Sequence, residues 1–376
     1  MSRVQAAATV AALVLLGAAV YTTKAARKMP DFEVYWKAGV RARAAEPLYR
    51  ADDEHYQLKY LPAFAVLAIP AGLLPLPTAK VVWFATSIVL MIALVRLSIV
   101  LLPRRLKPAW LLAIIVTVAM GKFYGHELVL GQVNLLLGVL VVAAALALRA
   151  RREGAAGALL ALAFVVKPYA AIVLPWLIAR RRPASVAAAA AGVATALVVP
   201  ALLYGVSGNL ALHRDWWRTV SDSTAPNLLS PDNVSTAAMF AKWIGPGTRA
   251  AWLAIATSVL LLGVAALVFV KRRGVVFPEG LEIALLLTLM PLLSPQGWDY
   301  VFLVSTPAIV YLANYESALP RWMRALTAAA IVTIGFSLFD IMGRRLYSTF
   351  MALSIISVCY LVVIAALCVL RLRKAA

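Results

Sequence analysis

The chain has 376 residues, of which 63% are hydrophobic, and its mean hydropathy is +0.88. Soluble domains run near ~45–50% apolar, so composition excludes a soluble globular protein. The net charge of +20 does not point to nucleic acid, because the basic residues sit in compact clusters at 104–107, 149–152, 180–182, 271–273, 321–324 and 371–374, between apolar runs. That is the pattern of cytoplasmic loops under the positive-inside rule, with membrane lipid headgroups as the partners that balance the charge. The two cysteines, Cys359 and Cys368, share the last apolar run, and the three histidines form no spaced pair. Neither a disulfide framework nor a His-based metal site is expected.

Apolar runs of ~20 residues recur along the chain, continuous and rich in Ala, Leu and Val, which indicates helices rather than a barrel. The expected fold is an all-α integral membrane protein, a single membrane-embedded domain over 1–376. The first run, 4–22, reads as a retained helix with its N-terminus inside, since no cleavage site and soluble domain follow it. A polar, aromatic-rich stretch follows, and 23–80 is then an external loop.

Within it, the run at 61–74, LPAFAVLAIPAGLL, carries Pro70 and Gly72. At about 14 residues it is too short to span, so it is expected to lie at the interface. The next span is then 81–102, and the basic cluster at 104–107 falls inside. Helices are expected over 109–123, 133–148, 155–166, 169–179, 185–204, 250–270, 282–293, 300–314, 325–340 and 347–370. With the first two they make about twelve transmembrane helices, both termini cytoplasmic, with a second external loop at 205–249. Short external loops and tips then hold about four basic residues against about eighteen inside, which favours this orientation.

Four polar groups fall at the outer face: Asp31 with Glu33; His126, Glu127, Gln132 and Asn134 in GHELVLGQVN; Lys167 in VVKPYA; and Gln296, Trp298 and Asp299 in SPQGWDY. Polar side chains near membrane depth are costly, so several at one level suggest a shared cavity. A carboxylate, an amine and neutral amides together suit transfer of a sugar from a lipid phosphate. The carboxylate acts as general base on an acceptor hydroxyl, and Lys167, helped by Arg214 or Arg345, neutralises the departing phosphate. Trp36, Tyr60 and Trp298 offer faces for sugar rings. Each residue also has a bland role: snorkelling for Lys167, helix-to-helix bonding for Gln132 and Asn134, and capping for Asp299.

The ordered set DFEVYWKAGVRARAAEPLY, KYLPAFAVLAIPAGLLPLP, GQVNLLLGVL, VVKPYAAIVLPWL and LLSPQGWDYVFLV resembles glycosyltransferase family 87, among the polyprenol-phosphate-dependent membrane glycosyltransferases of the C superfamily. The resemblance implies that fold, with juxtamembrane helices in the first external loop and 61–74 among them. It also implies a metal-independent, inverting transfer of one sugar, mannose or arabinofuranose, from a polyprenyl-phosphate donor to a glycan or glycolipid acceptor. The donor is a substrate, and no cofactor is implied. The reaction would lie on the outer face of a bacterial plasma membrane. Asp31 matches the family's catalytic acidic position. SPQGWDY departs from the pattern, carrying Asp299 and Tyr300 where relatives often have histidine, and His126 is a possible substitute. Two rival readings remain at this stage: a transporter or flippase of a lipid-linked sugar, and a ligase of whole lipid-linked glycans.

Overall fold

A computed structural model describes residues 17–374, and most of the first expected helix, 4–22, lies outside the described residues. The described chain is helical, and its one strand-like feature is an isolated antiparallel bridge between Asn233 and Trp298. Among the described residues, three helices are long and apolar enough to cross a membrane: α4 (Leu76–Val100), α13 (Thr248–Val270) and α18 (Ile355–Leu372). The number rises to six if each of three bent pairs counts as one span. These pairs are α5 (Ala109–Ala119) with α6 (Gly121–Leu130), α10 (Pro183–Val198) with α11 (Ala201–Thr224), and α16 (Arg321–Phe336) with α17 (Phe339–Ala352), bent by 65°, 86° and 106°. The other apolar helices, including α7 (Asn134–Arg149) and α8 (Glu153–Val166), are shorter than the ~20 residues of a straight crossing.

The polar stretch after residue 23 folds into helix α1 (Pro30–Arg43). Pro30 opens it, Asp31 and Glu33 occupy its first turn, and Arg41 and Arg43 its last. Each charge thus complements the helix dipole. The run at 61–74 forms two short helices, α2 (Pro62–Leu67) and α3 (Ile69–Gly72), each too short for a straight crossing. Paired glycines bring them against α1. A Cβ on Gly39 would lie 2.3 Å from the Ala68 carbonyl oxygen, and one on Gly72 would lie 2.7 Å from the Val40 nitrogen. The segment at 205–249 is also largely helical: α11 continues through a kink at Gly205 to Thr224, and α12 (Thr236–Ile244) follows.

The bundle is built on α14 (Pro278–Leu293), buried along nearly its whole length, as expected for a helix that is apolar on every side. At one end Glu282 binds Arg180 at 2.9 Å and Arg371 at 3.2 Å, tying α14 to α9 (Val173–Ala179) and α18. At the other end the chain leaves the helix through Ser294–Trp298, enters a turn of tight helix (Asp299–Ser305) and continues as α15 (Thr306–Asn314). Small residues set the spacing between α8 and α10, where a Cβ on Gly157 would meet the Ser185 carbonyl oxygen at 2.3 Å.

Candidate active site

The site forms where these breaks converge. Asp31 stands in the first turn of α1, with Tyr35 one turn further on the same face. Gly131 ends α6 with φ +71°, and its N–H and that of Gln132 donate to the Glu127 carbonyl at 2.9 and 3.1 Å. The turn is pressed onto α1, since a Cβ at Gly131 would lie 2.7 Å from that of Phe32. The Glu127 carboxylate, fully buried, accepts from Asn134 Nδ2 at 2.8 Å and from the Leu135 N–H at 2.9 Å, capping α7. Gln132 is thereby aimed at the tyrosines: its Oε1 accepts from Tyr35 Oη at 2.9 Å and Tyr60 Oη at 3.2 Å, and its Nε2 donates to Tyr300 Oη at 3.4 Å. The Tyr35 and Tyr60 hydroxyls are 2.6 Å apart.

Lys167 follows α8 with an extended backbone, φ −150° and ψ 121°, as Pro168 requires of the residue before it. Its side chain is buried, with Nζ 5.8 Å from the ring centroids of both Tyr60 and Tyr169. From the 294–300 loop, Gln296 Nε2 donates to Ser223 Oγ at 3.1 Å and Thr224 Oγ1 at 3.0 Å, fastening the loop to the end of α11. The segment before α12 crosses the same loop: the Val234 N–H donates to the Gly297 carbonyl at 2.6 Å, and the Asp299 N–H to the Asp232 carbonyl at 2.9 Å.

These elements enclose a cavity of about 390 Å³. Asp31, Tyr35, Lys59 and Tyr60 line it from α1 and the approach to α2; Gln132, Lys167 and Tyr169 from the helix breaks; Trp216 and Thr224 from α11; and Asp232, Gln296, Trp298 and Tyr300 from the crossing segments. The Asp31 carboxylate acts electrostatically on both Lys59 and Lys167. Burial pulls the Lys59 ammonium below its ordinary value, and Asp31 opposes that shift. Asp232 is raised, first by burial and then by Asp299, against the pull of His126, Lys122 and Lys242. Burial likewise brings the Lys242 ammonium down to about 8. An apolar groove of about 520 Å³ adjoins the cavity and shares Tyr169, Ser294 and Pro295 with it. It continues between α13, α14 and α9 to Trp176 and Phe269.

Of the residues expected from the sequence, the cavity brings together Asp31, Tyr60, Gln132, Lys167, Gln296 and Trp298. The others have different partners. Glu33 pairs with Lys80 Nζ at 2.5 Å, and Trp36 Nε1 donates to the Leu74 carbonyl at 2.9 Å. Asn134 is held by Glu127, outside the cavity lining. Asp299 is buried behind the wall, 3.0 Å from Lys122 Nζ and 3.7 Å from His126 Nδ1. Arg214 and Arg345 are exposed and do not line the cavity. Tyr35, Lys59, Tyr169, Trp216 and Asp232 also line the cavity and are not among the residues expected from the sequence. Tyr35 was detectable as the i+4 neighbour of Asp31, and Tyr169 lies two residues beyond Lys167. Asp232 carried no such signal, because its place depends on a chain crossing far apart in sequence.

No curated protein and no solved structure matches the chain. The model of glycosyltransferase family 87 matches residues 58–295, more than half of its length. The matched region contains Tyr60, Gln132, Lys167 and Asp232, whereas Asp31 and α1 precede it and Trp298 follows it. The chain belongs to glycosyltransferase family 87 and is a membrane glycosyltransferase.

Proposed function

We propose that this enzyme moves a single sugar, mannose or arabinofuranose, from a polyprenyl-phosphate donor to a hydroxyl of a lipid or glycan acceptor, with inversion. One observation carries the reading: Asp31 and Lys167 line the same cavity, and that cavity shares a wall with an apolar groove. A lipid-linked sugar phosphate has this division of chemistry, a polar head on an apolar chain.

Asp31 takes the proton from the acceptor hydroxyl as its oxygen attacks the anomeric carbon. The bond from that carbon to the phosphate oxygen breaks, and its electron pair leaves with the polyprenyl phosphate. Lys167 stabilises the charge that develops on the phosphate. Lys59, which lines the cavity together with Asp31, is better placed to assist than the exposed Arg214 or Arg345. The Tyr35–Tyr60–Gln132–Tyr300 network holds donors and acceptors in place for the sugar hydroxyls. The proposed setting is a bacterial plasma membrane with the cavity on the extracytoplasmic side, both termini cytoplasmic and about twelve transmembrane helices, an orientation supported by the distribution of basic clusters.

The test supplies synthetic polyprenyl-phosphate mannose or polyprenyl-phosphate arabinofuranose to the protein in liposomes, with membrane glycolipid extract as acceptor. One donor should release polyprenyl phosphate in step with a new glycosidic bond, and Lys167→Met should slow that release. Movement of intact donor across the bilayer without a new bond would replace the reading with transport.

A further inference from the structure

The cavity contains two carboxyl groups in different electrical surroundings. Asp31 acts on Lys59 and Lys167. Asp232 is acted on by the charges of Asp299 from the 294–300 crossing, His126 and Lys122 from α6, and Lys242 from α12, and none of these four lines the cavity. Asp31 reaches the wall from α1, whereas Asp232 reaches it from the segment that crosses the 294–300 loop, so the two carboxyls come from separate elements. Tyr169, whose ring centroid is 5.8 Å from Lys167 Nζ, lines both the cavity and the apolar groove, which is where a lipid phosphate and its chain belong. Asp232 does not line that groove.

Asp232 is also held firmly. Its carbonyl accepts the Asp299 N–H at 2.9 Å, and the next residue, Asn233, bridges to Trp298, so Asp232 and Trp298 reach the wall together. Lys242 Nζ donates to the carbonyls of Pro231 at 2.8 Å and Asn233 at 2.7 Å, one on either side of Asp232. Asn233 Nδ2 donates to the carbonyls of Asn227 and Pro295, both at 3.0 Å. A residue whose backbone is fixed on both sides has less freedom to lose on binding a ligand. An acid beside an indole is a suitable reader of sugars, accepting hydrogen bonds from hydroxyls while the ring covers a face of the pyranose or furanose.

We infer that Asp232, with Trp298 beside it, recognises the acceptor, and that the acceptor's nearest portion is an uncharged sugar or polyol. This rests on the glycosyl transfer proposed above. Asp31 removes the proton, Lys167 meets the donor phosphate, and Asp232 orients the incoming hydroxyl-bearing group without taking part in bond making. A phosphate on the adjoining sugar would meet the like charge of Asp232 and bind poorly.

The test measures acceptor and donor KM separately for wild type, Asp232→Asn and Asp232→Glu, using octyl mannoside, octyl arabinofuranoside and membrane glycolipid extract as acceptors with both synthetic donors. Replacing a charge-assisted bond by a neutral one should raise acceptor KM about tenfold in Asp232→Asn. Donor KM should stay within about twofold, and Asp232→Glu should recover part of the loss. An unchanged acceptor KM, or an increase confined to donor KM, overturns the assignment. So does a loss of activity that tracks a lowered thermal midpoint and is not recovered by glutamate. If the wild type transfers neither sugar to any acceptor, the functional reading itself falls and this inference with it.

Discussion

Lys122→Met isolates the contact that holds Asp299 behind the cavity wall. The two side chains are 0% and 1% exposed, with Nζ 3.0 Å from Oδ2. The nearest other basic group is His126, whose Nδ1 is 3.7 Å from Oδ1. Methionine fills most of the lysine's volume, so little of the effect comes from a void. What it removes is the charge, along with contacts of the ammonium to the rings of Tyr347 at 5.1 Å and Phe123 at 5.9 Å. Leaving a buried carboxylate uncompensated costs about 3–5 kcal/mol. For a chain of this length each kcal/mol moves the midpoint by roughly 2 °C, so thermal unfolding in detergent should fall by several degrees. Asp299→Asn removes the other charge at nearly the same shape, and the double variant should recover much of the loss through a coupling of up to about 3 kcal/mol. A midpoint for Lys122→Met within a degree of wild type, or a double variant as unstable as the two single effects added, would refute this reasoning.

Gly297→Ala places a Cβ 1.9 Å from the Pro291 carbonyl oxygen and strains the bond from the Val234 N–H. It should cost about 1–3 kcal/mol, and displacement of Gln296 and Trp298 by ~1 Å should lower turnover by about 100-fold, read as kcat and thermal midpoint together. Arg41, bonded through two nitrogens to Asp53, holds that carboxyl below its ordinary value. Because the folded value is depressed, the pair contributes above pH ~4 and is lost as pH falls through the folded value. Arg41→Ala should therefore cost up to about 1 kcal/mol near neutrality and approach wild type in acid, as followed by unfolding across pH. Glu282→Ala strands the buried Arg371, and a midpoint lowered by several degrees is expected from a loss of about 3–5 kcal/mol.

Much of the frame was legible because membrane helices declare themselves by length and apolar continuity. That 61–74 is not one long helix followed from Pro70, Gly72 and its shortness, and it folds as two short helices. The bends did not follow so readily. A hydropathy run reads the same whether its helix is straight or turned by 65° after Ala119, and polar 205–224 resembled a loop because its helix is amphipathic rather than apolar. Within the site, residues at helix breaks were legible: Lys167 before a proline and Gln132 after a glycine both face the cavity. Asp299 lies beside cavity-lining Trp298, yet it is turned to Lys122 behind the wall. Adjacent residues in a turn point in different directions, and no periodicity assigns them. Trp36 is in the same position, since an indole that bonds a carbonyl at a helix junction has the same sequence signature as one that stacks on a sugar.

The most direct measurement compares polyprenyl phosphate release by wild type and Asp31→Asn in liposomes, with donor, acceptor and thermal midpoint matched. With Asp31 as the general base, release should fall by about 100- to 10,000-fold while the midpoint and donor binding are retained. Near wild-type release by a correctly folded Asp31→Asn would contradict the assignment of Asp31 as the base.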